Sequence, residues 1–184
     1  MNLPNKLTIL RVIMIPLFMA LYVIPSPVAF EIFGISVTWT LLFADLVFIL
    51  ASVTDWADGY IARKEGIVTN FGKFMDPLAD KLLVTAAFLC IMAAGGVSMW
   101  VVMITLSREF IVTGVRLIAA SDGKVIAAGK MGKLKTVWQM ITIIIAIVAG
   151  RNLVVDILFW ISAALAAISG YGYIKDNLHV FKNE

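Results

Sequence analysis

The sequence predicts an all-α integral membrane protein, a bundle of six transmembrane helices with a polar cavity open to the cytoplasmic side. Of its 184 residues, 61% are hydrophobic and only 15% are charged, whereas a soluble domain has about 25% charged residues. The mean hydropathy is +0.98. Six apolar runs approach the roughly 20 residues that a helix needs to cross the hydrocarbon core. We expect one domain over residues 1–184.

The six runs are separated by turn signals. Pro25 and Pro27 end the first run, a glycine pair ends the third, and Gly150 with Asn152 lies between the fifth and sixth. Pro and Gly interrupt helices, so these residues set the expected boundaries. The predicted spans are Leu7–Ile24, Val37–Tyr60, Phe74–Ala94, Met99–Ala119, Leu134–Ala149 and Leu153–Ile174.

The basic residues predict the orientation of these spans. With six spans both termini lie on one side, and that side receives nearly all of the loop lysines and arginines, while only Arg151 lies in a loop of the other side. Cytoplasmic loops carry an excess of Lys and Arg. We therefore expect a multi-pass protein of the cell membrane with both termini in the cytoplasm. The small net charge of +3 gives no indication of nucleic acid as a partner.

Ionisable residues of five spans fall at one depth near the cytoplasmic side. Charged groups inside a membrane face the interior of the bundle or water, so their common depth predicts a polar cavity. The residues are Arg11, Asp55, Asp58, Asp76, Asp80, Lys81, Arg108, Glu109, Arg116, Lys133 and Lys135.

Four of these residues are aspartates at helical spacing. Asp55 and Asp58 are three residues apart, and Asp76 and Asp80 are four apart, so each pair shares one face of a helix. Four carboxylates that close together repel one another unless cations compensate. Carboxylate oxygens suit hard divalent cations, and two such ions support displacement at phosphorus. The alternative is a layer of salt bridges with the neighbouring Arg and Lys residues.

Small residues surround the aspartates. Gly59 and Ala62 follow Asp58, and Gly72 begins the third span. They leave the helix surface bare, so that a flat or bulky ligand can lie against it. Close packing between helices is the alternative role for such residues.

Eight positions then match a known pattern, Asp-x2-Asp-Gly-x2-Ala-Arg-x8-Gly-x3-Asp-x3-Asp, which this sequence meets in full between Asp55 and Asp80. The stretch resembles the signature of the CDP-alcohol phosphotransferases. The stretches "NLPNKLTILRVIMIPLF", "LSREFIVTGVR" and "GKLKTVWQM" resemble the branch of that family that uses glycerol 3-phosphate. The likeness covers nearly the whole chain, and six spans fit the family's fold.

The resemblance implies an enzyme that transfers a phosphatidyl group from CDP-diacylglycerol to an alcohol and releases CMP. It implies that Asp55, Asp58, Asp76 and Asp80 hold two divalent cations, Mg²⁺ or Mn²⁺, and that Asp80 is also the general base. It further implies a homodimer. The residues expected to contact the CDP-lipid are Asn5, Thr8, Gly59, Ala62, Arg63, Thr69 and Gly72. Capping of the first helix is an alternative role for Asn5 and Thr8, and a juxtamembrane charge is one for Arg63.

A basic cluster outside the eight-position pattern indicates the acceptor. We expect it to bind the phosphate of an anionic alcohol; its members are Arg11, Arg108, Arg116, Lys133 and Lys135. Glycerol 3-phosphate and inositol phosphate both satisfy this requirement, and the resemblance favours glycerol 3-phosphate. Lys133 and Lys135 could instead bind anionic lipids at the inner surface. Arg108 could pair with Glu109 or Asp45, although sequential neighbours on a helix do not face each other.

A transporter of divalent cations is the alternative from another class, since acids inside a membrane also mark ion pathways. Such a protein needs polar groups across the whole thickness of the membrane. In this sequence Asp45 is the deepest acid of the second span, and the outer half of the bundle is nearly free of charge. The sequence therefore favours the transferase.

Overall fold

The computed structural model describes residues 3–32, 34–65, 70–121 and 129–177. Each of the six predicted runs overlaps a helix in this part of the chain. The elements are α1 Leu3–Val23, β1 Val28–Ile32, β2 Ile35–Thr38, α2 Trp39–Glu65, α3 Asn70–Ala93, α4 Met99–Ser121, α5 Lys130–Ala149 and α6 Leu153–Asp176. The helical architecture is confirmed, and a short β-hairpin accompanies it.

Three helices of the described part are long and apolar enough to cross a membrane: Lys6–Val23, Met131–Ala149 and Leu153–Asp176. The outer surface is also apolar. On α4, for example, Trp100, Phe110 and Leu117 are each about two-thirds exposed. Exposed apolar patches of this kind suit lipid tails better than water. The chain is therefore a membrane protein, and six crossings remain a prediction.

The β-hairpin between α1 and α2 was not predicted. Its strands are antiparallel, with Phe30 opposite Val37 and Ile32 opposite Ile35. Gly34 has a φ of 79°, a conformation that glycine adopts without strain. The expected start of the second span at Val37 is wrong, because β-branched residues there favour a strand. Helix α2 begins two residues later, at Trp39.

The turn between α5 and α6 is confirmed. Gly150 has a φ of 57° and follows the last residue of α5. Asn152 is the N-cap of α6, and its side chain accepts a hydrogen bond of 2.9 Å from the backbone N–H of Val155. Such a cap satisfies one of the free N–H groups at the start of a helix.

The chain divides into two compact units. The first unit comprises Met1–Ala94 with Ile143–Gly150, and the second comprises Gly95–Thr142 with Arg151–Glu184. In the first unit α1 packs against α2 and α3, and the rings of Phe18 and Phe48 lie 5.8 Å apart in its core. In the second unit α4 packs against α6.

Candidate functional site

All four aspartates lie on two helices of the first unit that pack against each other. Asp55 and Asp58 lie on α2, and Asp76 and Asp80 lie on α3. Both pairs therefore have the helical spacing that was predicted. The side chain of Asp80 is half-buried, and the side chains of the other three lie outside the described residues.

The residues expected to contact the CDP-lipid belong to the same unit. Asn5 and Thr8 lie on α1. On α2 and α3 the structure places Gly59, Ala62, Arg63 and Gly72. Thr69 lies outside the described residues. Thr8 is fully buried and lies five residues inside α1, so capping of the helix does not explain it.

The structure does not test the cation site. Among the side chains that the structure describes, no group of three His, Cys, Asp or Glu residues could hold a metal ion. Asp80 is the one member of the four aspartates whose side chain is among them. The binding of two cations by these carboxylates stays a prediction.

The second unit brings two members of the basic cluster together through an acid. One carboxylate oxygen of Glu109, Oε1, accepts a hydrogen bond of 2.6 Å from Nζ of Lys135 and one of 2.9 Å from NH1 of Arg108. Lys135 is 2% exposed, and the other two side chains are largely buried. We call this arrangement the ion bridge.

Of the two partners that the sequence left open for Arg108, Glu109 is the one that it contacts, although the two residues are sequential neighbours on α4. Adjacent residues point about 100° apart around a helix, but both side chains are long and both reach α5. The carboxylate of Glu109 bonds to the ammonium group of Lys135 on α5. NH2 of Arg108 lies 3.1 Å from the position that a Cβ on Gly132, also on α5, would occupy. The two side chains therefore meet beyond the surface of their own helix.

Arg108 makes a further contact with α6. Its Nε donates a hydrogen bond of 3.2 Å to the hydroxyl of Ser169, and that hydroxyl donates to the backbone carbonyl of Ala166. A Cβ on Gly170 would lie 2.9 Å from Cγ of Arg108. The guanidinium is thus enclosed by α5 and α6, because glycines leave room for it on both helices.

The remaining basic residues have other surroundings. Nε of Arg116 donates a hydrogen bond of 3.1 Å to the hydroxyl of Tyr173, whose ring centre lies 5.5 Å from the guanidinium carbon. Lys133 is exposed on α5, a position that agrees equally well with binding to anionic lipid. Arg11 is fully buried on α1 in the first unit.

Contacts within the second unit show the relative directions of α4, α5 and α6. Contacts of α4 with α6 advance in the same direction along both, from Arg108–Ser169 to Arg116–Tyr173. Helix α5 runs antiparallel to α6. Gly132 and Gly170 adjoin the same side chain, that of Arg108, whereas the later residue Trp138 of α5 donates a hydrogen bond to the carbonyl of the earlier residue Leu158 of α6. These directions agree with the predicted order of spans.

Three further polar residues, Thr105, Gln139 and Ser162, lie one or two helical turns away from the ion bridge along α4, α5 and α6. Given the directions of these helices, all three lie toward the same end of the unit. They are buried, and their side-chain polar atoms have no hydrogen-bond partner in the described part of the chain. Buried polar atoms without a partner are costly. The interior of the second unit is therefore polar over more than one helical turn, which was not predicted from the sequence. The spacing of these residues from Glu109, Lys135 and Ser169 was the available signal.

The fold and the site define a helical membrane protein with carboxylates on α2 and α3 and an ion-bridged basic pair on α4 and α5. The chain belongs to the CDP-alcohol phosphatidyltransferase family, whose model matches residues 1–168. It is 41% identical to the CDP-diacylglycerol–glycerol-3-phosphate 3-phosphatidyltransferase of Bacillus subtilis, over 98% of this chain and 97% of the relative. It is 38% identical to the protein of the same name from Rickettsia typhi, over 95% and 96% of the two chains.

We predict that Lys135 contributes to stability through the ion bridge and that Lys133 does not. Removing one partner of a buried ion pair costs roughly 3–5 kcal/mol, and we expect the lower end because Glu109 is partly exposed. Lys135→Met should therefore lower the thermal unfolding temperature of the purified protein in detergent. Lys133→Met, two residues away on the same helix, is the matched control and should leave it unchanged. Equal unfolding temperatures for the two variants would contradict the prediction.

Proposed function

We propose that this protein transfers the phosphatidyl group of CDP-diacylglycerol to glycerol 3-phosphate, forming phosphatidylglycerophosphate and CMP. The observation that carries the proposal is the similarity over nearly the full chain to relatives named for this reaction. The eight-position pattern between Asp55 and Asp80 and the basic residues of the second unit agree with it. The product is a precursor in phospholipid biosynthesis.

The four aspartates are the proposed ligands of two divalent cations, Mg²⁺ or Mn²⁺. Members of the family generally depend on divalent cations. The donor set fits such ions, because carboxylate oxygens are their preferred ligands in proteins and because α2 and α3 carry the two pairs on packed helices. Bound there, the cations would neutralise the negative charge of the pyrophosphate and of the departing CMP.

Asp80 is the proposed general base. The hydroxyl oxygen of the acceptor attacks the phosphorus that carries the diacylglycerol, and its proton passes to the carboxylate of Asp80. The bond between this phosphorus and the bridging oxygen breaks, and CMP departs with the electron pair. The half-buried position of Asp80 on α3 agrees with a base that is reached by a polar head group.

The CDP-lipid is proposed to lie against α1, α2 and the start of α3. Small residues leave room for the nucleotide, Arg63 neutralises phosphate, and hydroxyl and amide groups complete the pocket. The residues are Asn5, Thr8, Gly59, Ala62, Arg63, Thr69 and Gly72. The burial of Thr8 in the first unit supports a polar role for this end of α1.

The acceptor's phosphate is proposed to bind the basic cluster. Guanidinium and ammonium groups make charge-assisted hydrogen bonds to phosphate oxygens, and a neutral alcohol would not need them. Arg108 and Lys135, which the ion bridge holds together, are the strongest candidates. Arg11, Arg116 and Lys133 complete the proposed set.

The proposed membrane arrangement has six spans, with both termini and the active site on the cytoplasmic side of the cell membrane, and a homodimer as the assembly. The excess of basic residues on one side supports this orientation. Lipid tails then remain in the bilayer while the head group enters the polar region. The active site is thus expected at the depth of one leaflet.

An acceptor panel tests the proposed function. Purified protein is given CDP-diacylglycerol with Mg²⁺ or Mn²⁺ and one of four acceptors: glycerol 3-phosphate, inositol phosphate, serine or glycerol. We expect rapid CMP release with glycerol 3-phosphate and none after chelation of the cations. Release with inositol phosphate or serine, but not with glycerol 3-phosphate, would assign the chain to another acceptor within its family.

Replacing Asp80 with Asn tests the general base. Asn keeps the size of the side chain but cannot take the proton, so turnover should fall by about 10²-fold or more while binding of CDP-diacylglycerol remains measurable. Asp156→Asn is the matched control, because Asp156 lies in the first turn of α6, and it should keep normal turnover. Near-normal turnover of Asp80→Asn would rule out the role.

A further inference from the structure

We propose that Glu109 is a positioning residue for the acceptor's phosphate, because it holds Arg108 and Lys135 together as one cationic pair. The proposal rests on the proposed function, since it presumes an acceptor that carries a phosphate. Glu109 itself has no proposed contact with either substrate. It acts through the two cations that it binds.

Arg108 and Lys135 share one carboxylate oxygen of Glu109. Oε1 of Glu109 accepts from Nζ of Lys135 at 2.6 Å and from NH1 of Arg108 at 2.9 Å. The two nitrogens belong to different helices, α5 and α4. Because both bond to one oxygen, they lie close enough together to reach oxygens of a single phosphate group. A separate counter-ion for each cation would not impose this spacing.

The side chain of Arg108 is enclosed by α5 and α6. The hydroxyl of Ser169 accepts a hydrogen bond from Nε of Arg108, and glycines of α5 and α6 adjoin the arginine side chain. A Cβ at Gly170 would stand 2.9 Å from Cγ, and a Cβ at Gly132 would stand 3.1 Å from NH2. The first distance is shorter than real Cβ contacts, so a larger residue at position 170 would displace the arginine. Glu109, Ser169 and the two glycines therefore fix one orientation of the guanidinium.

The charges within the ion bridge do not cancel. The ion bridge joins two cations to one carboxylate, so these three groups by themselves carry one net positive charge, which attracts a phosphate. Two uncompensated cations would be costly in the interior of a membrane-embedded bundle. Glu109 thus supplies a counter-ion for Lys135, which is almost fully buried. An arginine held in this way keeps the planar geometry that recognises phosphate.

Glu109→Gln tests the proposal, since Gln keeps the shape of the side chain and removes its charge. We expect the KM for glycerol 3-phosphate to rise about tenfold or more, because the pair of cations loses its common anchor, while the KM for CDP-diacylglycerol changes by less than about twofold. Glu109→Asp, which keeps the charge on a shorter side chain, should give an intermediate KM. Inorganic phosphate, used as a competitor of glycerol 3-phosphate, should inhibit Glu109→Gln less strongly than the wild type.

A second variant tests the enclosure of Arg108 without touching any charge. Gly170→Ala should raise the KM for glycerol 3-phosphate by a similar factor, because its methyl group displaces Arg108. Gly172→Ala is the matched control on the same helix, since a Cβ there meets nothing within 4 Å. Alanine favours a helix over glycine equally at both positions. A difference in KM between the two variants therefore reports the contact with Arg108.

The outcomes separate this proposal from the proposed function. A wild type that is active with glycerol 3-phosphate, and a Glu109→Gln variant that unfolds at lower temperature with both KM values unchanged, would make Glu109 a structural clamp and overturn the proposal alone. Should Glu109→Gln fail to fold, equal KM values for Gly170→Ala and Gly172→Ala would overturn it. A wild type that releases no CMP with glycerol 3-phosphate would overturn the proposed function and this proposal with it.

Discussion

The ion bridge of Glu109 is the interaction on which the interior of the second unit depends. One carboxylate oxygen binds a lysine of α5 and an arginine of α4, and the arginine continues to Ser169 on α6. Charges inside a membrane need partners, and here a single acid serves two cations. Three helices are thereby tied at one level, and a net positive charge remains for an anionic ligand.

The first unit carries the four aspartates of the eight-position pattern. They lie in pairs on α2 and α3, and the proposed divalent ions would compensate the repulsion between their carboxylates. The aspartates and the ion bridge therefore suit different parts of the proposed reaction. Carboxylates with cations suit the pyrophosphate of the CDP-lipid, and the basic pair suits the phosphate of the acceptor.

The sequence predicted the helices, the helical spacing of the aspartates and the turn at Gly150, because these depend on local patterns. It did not predict the hairpin. The apolar run continues without a break into α2, but the β-branched residues next to Gly34 form a strand and not the start of the helix. The sequence left Glu109 open as a partner of Arg108 but did not predict that the two meet at Lys135, since spacing along one helix does not show where long side chains meet at another helix. The room that Gly132 and Gly170 leave for Arg108 depends on packing between helices, which no periodicity reveals.

The central claim is that the acceptor's phosphate binds the pair held by Glu109. An experimental structure of the protein with Mg²⁺, a non-hydrolysable analogue of CDP-diacylglycerol and glycerol 3-phosphate tests it most directly. We predict phosphate oxygens within hydrogen-bond distance of both Arg108 and Lys135, with the Glu109 carboxylate still bound to the two side chains. A phosphate bound elsewhere, with the ion bridge unchanged, would contradict the account.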